Sequence, residues 1–403
     1  MKNILIFMLC LLVSAPVLSQ DLPPPYETKS AVKRSVTVDW PEGKMPVVPE
    51  GFSVQRFATG LDHPRSLYVL PNGDVLSAQA NTKIAGFIGS SADNIMLLRD
   101  TDKDGVADVQ GVFLAGLDRP FGMALIGDNF YVANTGGLYR YHYTPGAEAI
   151  TGAGTKILAL PAGGYNHHWT RNLLVSPDQT KIYITVGSAS NNGEYGMQEE
   201  IRRAGILQIN PDGSGKKIYA SGLRNPVGMD WNPDTSALWT AVNERDGLGD
   251  DLVPDYLTSV REGGFYGWPY SYFGPNPDPR MKGQRPDLVA RAIVPDVDLG
   301  AHTASLGLVF YEGAMFPEFY RHGAFIAQHG SWNRSSFVGY RVAFLPFKNG
   351  RPAGQPEDFL SGFIKDGESR DVYGRPVSVA VAADGALLVS DDAGNTIWRV
   401  STK

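Results

Sequence analysis

One pattern returns six times along the chain, and it limits what the chain can fold into. Each copy opens on a turn, enters a short apolar strand, turns again and resumes as a second, alternating strand. The copies run from Gly60-Leu-Asp-His-Pro-Arg-Ser-Leu to Gln79, from Gly116-Leu-Asp-Arg-Pro-Phe-Gly-Met to Asn134, and from Trp169-Thr-Arg-Asn-Leu-Leu-Val to Gly187. The others run from Gly222-Leu-Arg-Asn-Pro-Val-Gly-Met to Asn243, from His302-Thr-Ala-Ser-Leu-Gly-Leu to Gly330, and from Gly374-Arg-Pro-Val-Ser-Val to Asp391. Second strands such as Lys181-Ile-Tyr-Ile-Thr-Val have the period of two of a half-buried strand. Turns such as Pro71-Asn-Gly and Pro211-Asp-Gly separate the pairs. Copies stand roughly 50–80 residues apart, room for four strands and their loops. The expected fold is all-β: a six-bladed β-propeller of four-stranded antiparallel blades over residues 51–403, which closes on itself and hides its sheet edges. Leu67, Met123, Leu174, Met229, Leu308 and Val379 should then lie on equivalent first strands. A pair of β-sandwiches is the alternative. Met197 to Ala204 is the best stretch for a short helix.

Two regions fall outside the repeat. Residues 1–19 read as an export signal: Lys2 is the only charge, Ile4 to Val13 is apolar but too short to span a bilayer, and Val17 and Ser19 suit a cleavage site. A periplasmic or secreted protein is expected. Residues 20–50 are Pro-rich and read as an extended lead-in with one strand, Ser35 to Trp40. No later stretch is long and apolar enough to cross a membrane. Without residues 1–19, 35 basic and 42 acidic residues leave a net charge of −7 and no basic stripe, which argues against nucleic acid as a partner. The single cysteine, Cys10, goes with the signal, so the remainder has no disulfide, thiolate metal site or c-type haem attachment.

Long insertions at 188–203 and 244–300 follow the third and fourth strand pairs, and function gathers on such loops. The richest segment is Asn166-His167-His168-Trp169-Thr170-Arg171. Adjacent histidines should point to different sides, so one of them is a candidate proton acceptor. Arg65, Arg119, Arg224 and Arg375 recur near the repeat's prolines. Converging guanidinium groups repel one another unless a polyanion lies between them, and they bind carboxylates in bidentate fashion. The run Glu244-Arg245-Asp246-Gly247-Leu248-Gly249-Asp250-Asp251, with carbonyls and glycine turns, suits Ca²⁺; a solvated acidic loop is the other reading. A second loop, with Asp100, Asp102, Asp104, Gly105 and Asp108, begins like an EF-hand loop but ends on Gly111 and not Glu. It is a candidate structural Ca²⁺ clip. No Gly-x-Gly-x-x-Gly, His-Glu-x-x-His or Gly-x-Ser-x-Gly motif is present.

On these residues the chain resembles the PQQ-dependent soluble glucose/sorbosone dehydrogenase family (PQQ, pyrroloquinoline quinone), and looks closer to its L-sorbosone branch. The segments that carry the resemblance are Asn166-His-His-Trp-Thr-Arg-Asn, Gly222-Leu-Arg-Asn-Pro-Val-Gly, Val242-Asn-Glu-Arg-Asp-Gly-Leu-Gly-Asp-Asp-Leu-Val-Pro-Asp, Phe265-Tyr-Gly-Trp-Pro, His329-Gly-Ser-Trp-Asn-Arg and Tyr373-Gly-Arg-Pro. The resemblance implies a six-bladed propeller, a PQQ cofactor with Ca²⁺, and oxidation of an aldose, sorbosone or similar polyol by hydride transfer. It implies His168 as catalytic base, and Arg224 with Asn225 as a pair on the cofactor, Arg224 also stabilising the developing oxyanion. Arg65, His167, Arg245, His302, Asn333 and Arg375 are the further cofactor contacts. Asp246 and Gly247 would hold the cofactor's Ca²⁺ through their carbonyls, and Asp251 and Tyr266 lie near a second ion. With no haem, electrons must leave to a separate acceptor, a quinone or cytochrome.

The chain departs from soluble glucose dehydrogenase at three places. His167 replaces an acidic residue, Arg245 replaces a Gln, and His329 to Arg334 replaces a segment with a Lys. Glucose itself is therefore not implied. Two other classes compete. A Ca²⁺-dependent propeller lactonase or esterase would conscript Glu194, Asn134 and Asn243. A non-catalytic carbohydrate-binding propeller would leave His168 without a role.

Overall fold

The structure, a computed structural model, describes residues 22–81 and 91–403, so the expected export signal lies outside the described residues. Six sheets of four antiparallel strands stand around one axis, as the repeat predicts, with a short parallel fifth strand, Gly264–Phe265, added to the third. Their innermost strands are Pro64–Val69, Met123–Ile126, Leu173–Val175, Asn225–Trp231, Ser305–Phe310 and Pro376–Val381, defining blades one to six. Each innermost strand touches the next, and the sixth touches the first, so the ring closes. They surround a cavity of about 460 Å³ lined by Leu67, Met123, Leu174, Met229, Leu308 and Val379, the six residues the pattern had aligned.

The repeat's glycines have a packing role. A Cβ on Gly122 would stand 2.4 Å from the Leu173 backbone nitrogen, and one on Gly228 would stand 2.5 Å from the Leu306 carbonyl. Glycine is required where one innermost strand runs against the next. Beside these glycines, Phe121, Val227, Leu306 and Val377 pack together across the channel. Arg65 and Arg171 hold the equivalent sequence places in blades one and three.

Apolar residues fill the seams between neighbouring blades. Between blades five and six, Phe325, Phe344 and Phe359 meet Phe52, Val389 and Trp398. That seam depends on a strand the repeat did not foresee. Phe52–Ala58 pairs with Thr396–Thr402 as the outermost strand of blade six. The start of the propeller thus closes its end, and burying Phe52 and Phe57 contributes about 1.5–3 kcal/mol each.

Three local expectations change. Met197 to Ala204 forms turns and not a helix, because Gly193 and Gly196 at positive φ break the chain just before it. The insertion at 244–300 is two loops, since Pro254–Ser259 returns to blade four as its third strand. The lead-in's strand shrinks to Val36–Thr37, paired in parallel with Asp371–Val372. The lead-in crosses the propeller face as a strap: Tyr26 N donates to Leu248 O at 2.7 Å, Asp250 N to Thr28 Oγ1 at 2.7 Å and Asn333 Nδ2 to Ala31 O at 2.9 Å. Trp40 stacks on Tyr373 with centroids 4.5 Å apart. No helix among the described residues is long and apolar enough to cross a membrane.

Candidate active site

The segment before the innermost strand of blade three places His168 against the end of the neighbouring strand. Its Nδ1 lies 2.9 Å from the Ser188 carbonyl and 3.0 Å from Ser188 Oγ. The carbonyl can only accept, so Nδ1 carries the proton and Nε2 keeps its lone pair. Ser188 is itself fixed: its Oγ donates to Ser190 O at 2.6 Å and its N to Arg224 O at 2.7 Å. Burial, then Arg224 and His167, hold the His168 imidazolium well below its ordinary pKa, so the ring is neutral at neutral pH. Gly187 makes the space, because a Cβ there would stand 2.2 Å from Asn225 Oδ1 and 2.5 Å from His168 Cβ.

The expectation that the two histidines diverge is corrected. Their rings stack, 5.0 Å apart at 19°. His167 N donates to Ala189 O, and this bond turns the segment so that both rings lie together beside Arg224.

Arg224 is buried and holds loops together. Its Nε donates to Asn191 O at 3.0 Å, Nη1 to Glu244 O at 2.7 Å and Nη2 to Asn191 Oδ1 at 2.9 Å, with Asp246 Oδ2 3.6 Å away. Asn191 is the residue that sequence reasoning missed. Its side chain also accepts from Asp246 N at 2.9 Å and donates to Asp246 O at 3.0 Å, and its carbonyl accepts from Trp268 Nε1. Glu200 pins the same loop through Ala189 N and Ser190 N. The only signal was its place in the 188–203 insertion.

The loop at 246–249 is held from both flanks. Asn333 Oδ1 accepts from Gly247 N at 3.0 Å, and His302 Nε2 lies 2.8 Å from Gly249 O. His302 Nδ1 lies 3.3 Å from Asp246 Oδ1, and that carboxylate overcomes burial to raise the imidazolium pKa. A cation fits this turn in part. No hydrogen bond is made to the Gly247 carbonyl among the described residues, but the Asp246 carbonyl accepts from Asn191 and, at 2.8 Å, from Arg280 Nη1. Calcium on both carbonyls requires Arg280 to move.

Blades five, six and one carry a second cluster. Arg65 and His329 share the Asp392 carboxylate, with His329 Nε2 2.8 Å from Oδ1. Arg375 donates to the His329 and Gly330 carbonyls, both at 3.0 Å. Arg65 lies over Trp169, the neighbour of His168, at 5.4 Å. Among the described residues its buried Nε has no hydrogen-bond partner, and neither has Asn225 Oδ1 on blade four. Two guanidinium groups and an imidazole around one paired carboxylate, with a donor left over, fit an anion bearing carboxylates.

Other candidates lie elsewhere. Arg245 does not reach the channel mouth: it is fully buried against Glu244 at 2.9 Å, Asp278 at 3.1 Å and the carbonyls of Pro269 and Ser271, because two internal carboxylates need a cation. Asp251 and Tyr266 are not brought together. Asp251 pairs with Arg334 at the surface, while Tyr266 is in the core between blades three and four with its hydroxyl on Ser259 O. Asp100, Asp102 and Asp108 each offer an oxygen within 4.8 Å of the others, but Asp104 stays outside that group, its Oδ1 accepting from Val106 N. Nor are the arginines equivalent. Arg119 lies on Asp118, and Arg65 follows its proline where Arg119 and Arg375 precede theirs.

The TrAA12-like family matches residues 46–254 and 284–403. The chain belongs to it. Over 243 residues, 60% of the chain and 62% of its relative, it is 36% identical to an uncharacterised protein of Borreliella burgdorferi. Over 135 residues, 32% of the chain and 30% of the relative, it is 32% identical to aldose sugar dehydrogenase YliI of Escherichia coli. The chain thus spans less than two thirds of these relatives. Two solved structures share the fold, each at TM-score 0.75 and 19% identity. One is a calcium structure of the Trichoderma reesei AA12 enzyme, covering 89% of this chain and 97% of that one. The other is the holo PQQ domain of pyranose dehydrogenase from Coprinopsis cinerea, covering 92% and 100%. Nothing in these likenesses singles out the sorbosone branch.

Proposed function

We propose that this TrAA12-like chain is a quinoprotein sugar dehydrogenase, in which His168 takes the proton from a sugar hydroxyl as hydride leaves the same carbon. One observation carries this reading: a buried imidazole has its Nδ1 fixed on Ser188 and its Nε2 left as an unprotonated base. PQQ, when bound, supplies the hydride acceptor. Arg65 and Arg375 would hold its carboxylates, with His329 beside them. Calcium would take the Gly247 carbonyl, and the Asp246 carbonyl once Arg280 releases it. The relatives named for PQQ, calcium and sugar substrates support this assignment.

The protein's own share is acid–base and positional work. Ser188 selects the His168 tautomer, and His167 covers one ring face. Arg224 keeps the neighbouring loops in register and places fixed positive charge beside the base, favouring a developing oxyanion. Two of the three residues of the lactonase alternative are already engaged, Glu194 accepting from Asn191 N and Asn192 N and Asn243 meeting Arg224 and Asp255. Export across a membrane and a separate electron acceptor belong to this proposal, and rest on residues 1–19 and on the absence of a haem-binding cysteine.

The test is dye reduction after reconstitution with PQQ and Ca²⁺, against aldoses, sorbosone and polyols. Sugar-dependent reduction in the wild type, lost in His168→Ala with PQQ still bound, is the expected result. A His168→Ala variant that turns over normally overturns it.

A further inference from the structure

Beside His167, the face of the propeller carries two tyrosines that the acid–base reading does not use. Tyr165 is 40% exposed and Tyr195 is 56% exposed, and their rings lie 4.3 Å apart at a 42° tilt. Tyr165 meets the His167 ring edge-on at 5.9 Å and brings its hydroxyl to 3.4 Å from His167 Nδ1. His167 in turn stacks on His168 at 5.0 Å. A continuous row of four rings therefore leads from solvent to the base. Such exposed rings cost solvation and stabilise no core, since the apolar seams lie elsewhere.

Glu194 stands at the same ledge. Burial raises the Tyr165 phenol pKa first, and Tyr195 and then Glu194 raise it further, and the same carboxylate acts on His167, so Glu194 stands beside the Tyr165 end of the row. Glu194 accepts backbone N–H groups from Asn191 at 3.1 Å and Asn192 at 2.8 Å. These bonds also fix the carboxylate against the loop that holds Arg224.

We propose that Tyr165, Tyr195 and Glu194 form a distal saccharide subsite. A second sugar ring, joined to the one that His168 deprotonates, would lay its C–H face on the tyrosines and donate hydroxyls to Glu194. The ring row extends further from the base than one pyranose does, so the substrate class is a disaccharide or longer glycoside with an oxidisable end. This deepens the dehydrogenase reading and rests on it for the role of His168.

Two measurements test it. Saturation-transfer NMR of maltose and cellobiose with the chain before any PQQ is added should mark the protons of the distal ring, and Tyr195→Ala should lose those signals. In the reconstituted enzyme, with a small dye as acceptor, the ratio of disaccharide KM to monosaccharide KM should rise about three- to tenfold in Tyr195→Ala, the scale of one aromatic contact. Tyr195→Phe should restore most of the ratio, because stacking needs the ring and not the hydroxyl. Distal-ring signals without turnover of any sugar would uphold the subsite and sink the dehydrogenase reading. Turnover with an unaltered KM ratio and unaltered signals would sink the subsite alone. A rise in the KM for a protein electron acceptor, with the sugar ratio unchanged, would reassign the ledge to acceptor docking and also overturn the proposal.

Discussion

The two sides of the channel mouth are built from similar residues in opposite ways. Around His168, on blades three and four, the groups nearest the base are spent on protein partners, Asn225 Oδ1 excepted: Arg224 on Asn191 and Glu244, Asn191 on Asp246, Ser188 on Ser190. Around His329, on blades five, six and one, the Arg65 Nε has no hydrogen-bond partner among the described residues, and Arg375 meets the His329 and Gly330 carbonyls. A network of paired groups around the imidazole holds geometry, which a general base needs. An unmatched cationic cluster stores electrostatic free energy that an anion releases on binding. On the function proposed above, the difference separates the side assigned to acid–base work from the side assigned to holding the cofactor.

The strongest way to break this comparison is to remove the base. His168→Ala should lose about 10²–10⁴ in kcat, the worth of a general base. Its pH profile also tests the matched side. The folded pKa is depressed, so Nε2 stays unprotonated and kcat should hold as pH falls through 6.5, the ordinary histidine value, dropping only well below it. A profile that falls already above pH 6.5 would show that the ring is not buried in this way.

Next in size is Gly187→Ala, which adds one methyl where His168 and Asn225 stand. Displacement of the imidazole by about 1 Å should cost roughly 10² in kcat with little change in PQQ affinity. Stopped-flow reduction and a PQQ titration separate the two quantities.

On the unmatched side, Arg65→Ala should weaken PQQ about ten- to a hundredfold by fluorescence titration, the worth of one charged hydrogen bond. Arg224→Ala should behave differently, showing itself first in the melting temperature, because it strands the buried Asn191 and Glu244 carbonyls. Equal losses of PQQ affinity in both variants would erase the distinction. The two sides also share a pH signature in stability. His329 is pushed down to about 4 by burial and Arg375, so between that value and about 6.5 the unfolded chain binds the extra proton. Stability should fall as pH drops through this window, and Asp392→Asn should reshape the fall in a thermal melt series.

The smallest effect is expected at Arg280. Freeing the Asp246 carbonyl in Arg280→Ala should tighten calcium about tenfold by calorimetry, since the ion no longer displaces a charged donor. Unchanged affinity would place the ion away from this turn.

The sequence by itself determined the architecture. Alternating apolar strands with Asn-Gly and Asp-Gly turns carry their own period, and Gly122, Gly228 and Gly307 recur where one innermost strand lies against the next too closely for a Cβ. His168 and Arg224 could be singled out from the sequence because family-like segments surround them, and their roles stand as proposals. Only the tertiary structure decided which strand closes the ring, since Phe52–Ala58 pairs with residues more than three hundred positions away. It also decided which charged groups face the channel. Arg245 and Arg224 stand 21 positions apart in similar polar surroundings. One goes inward to neutralise Glu244 and Asp278, and the other goes to the site, because burial demands that each internal carboxylate find a cation and sequence spacing does not say which. Asn191 was invisible for the same reason: its worth lies in three loops that meet only when the blades are assembled.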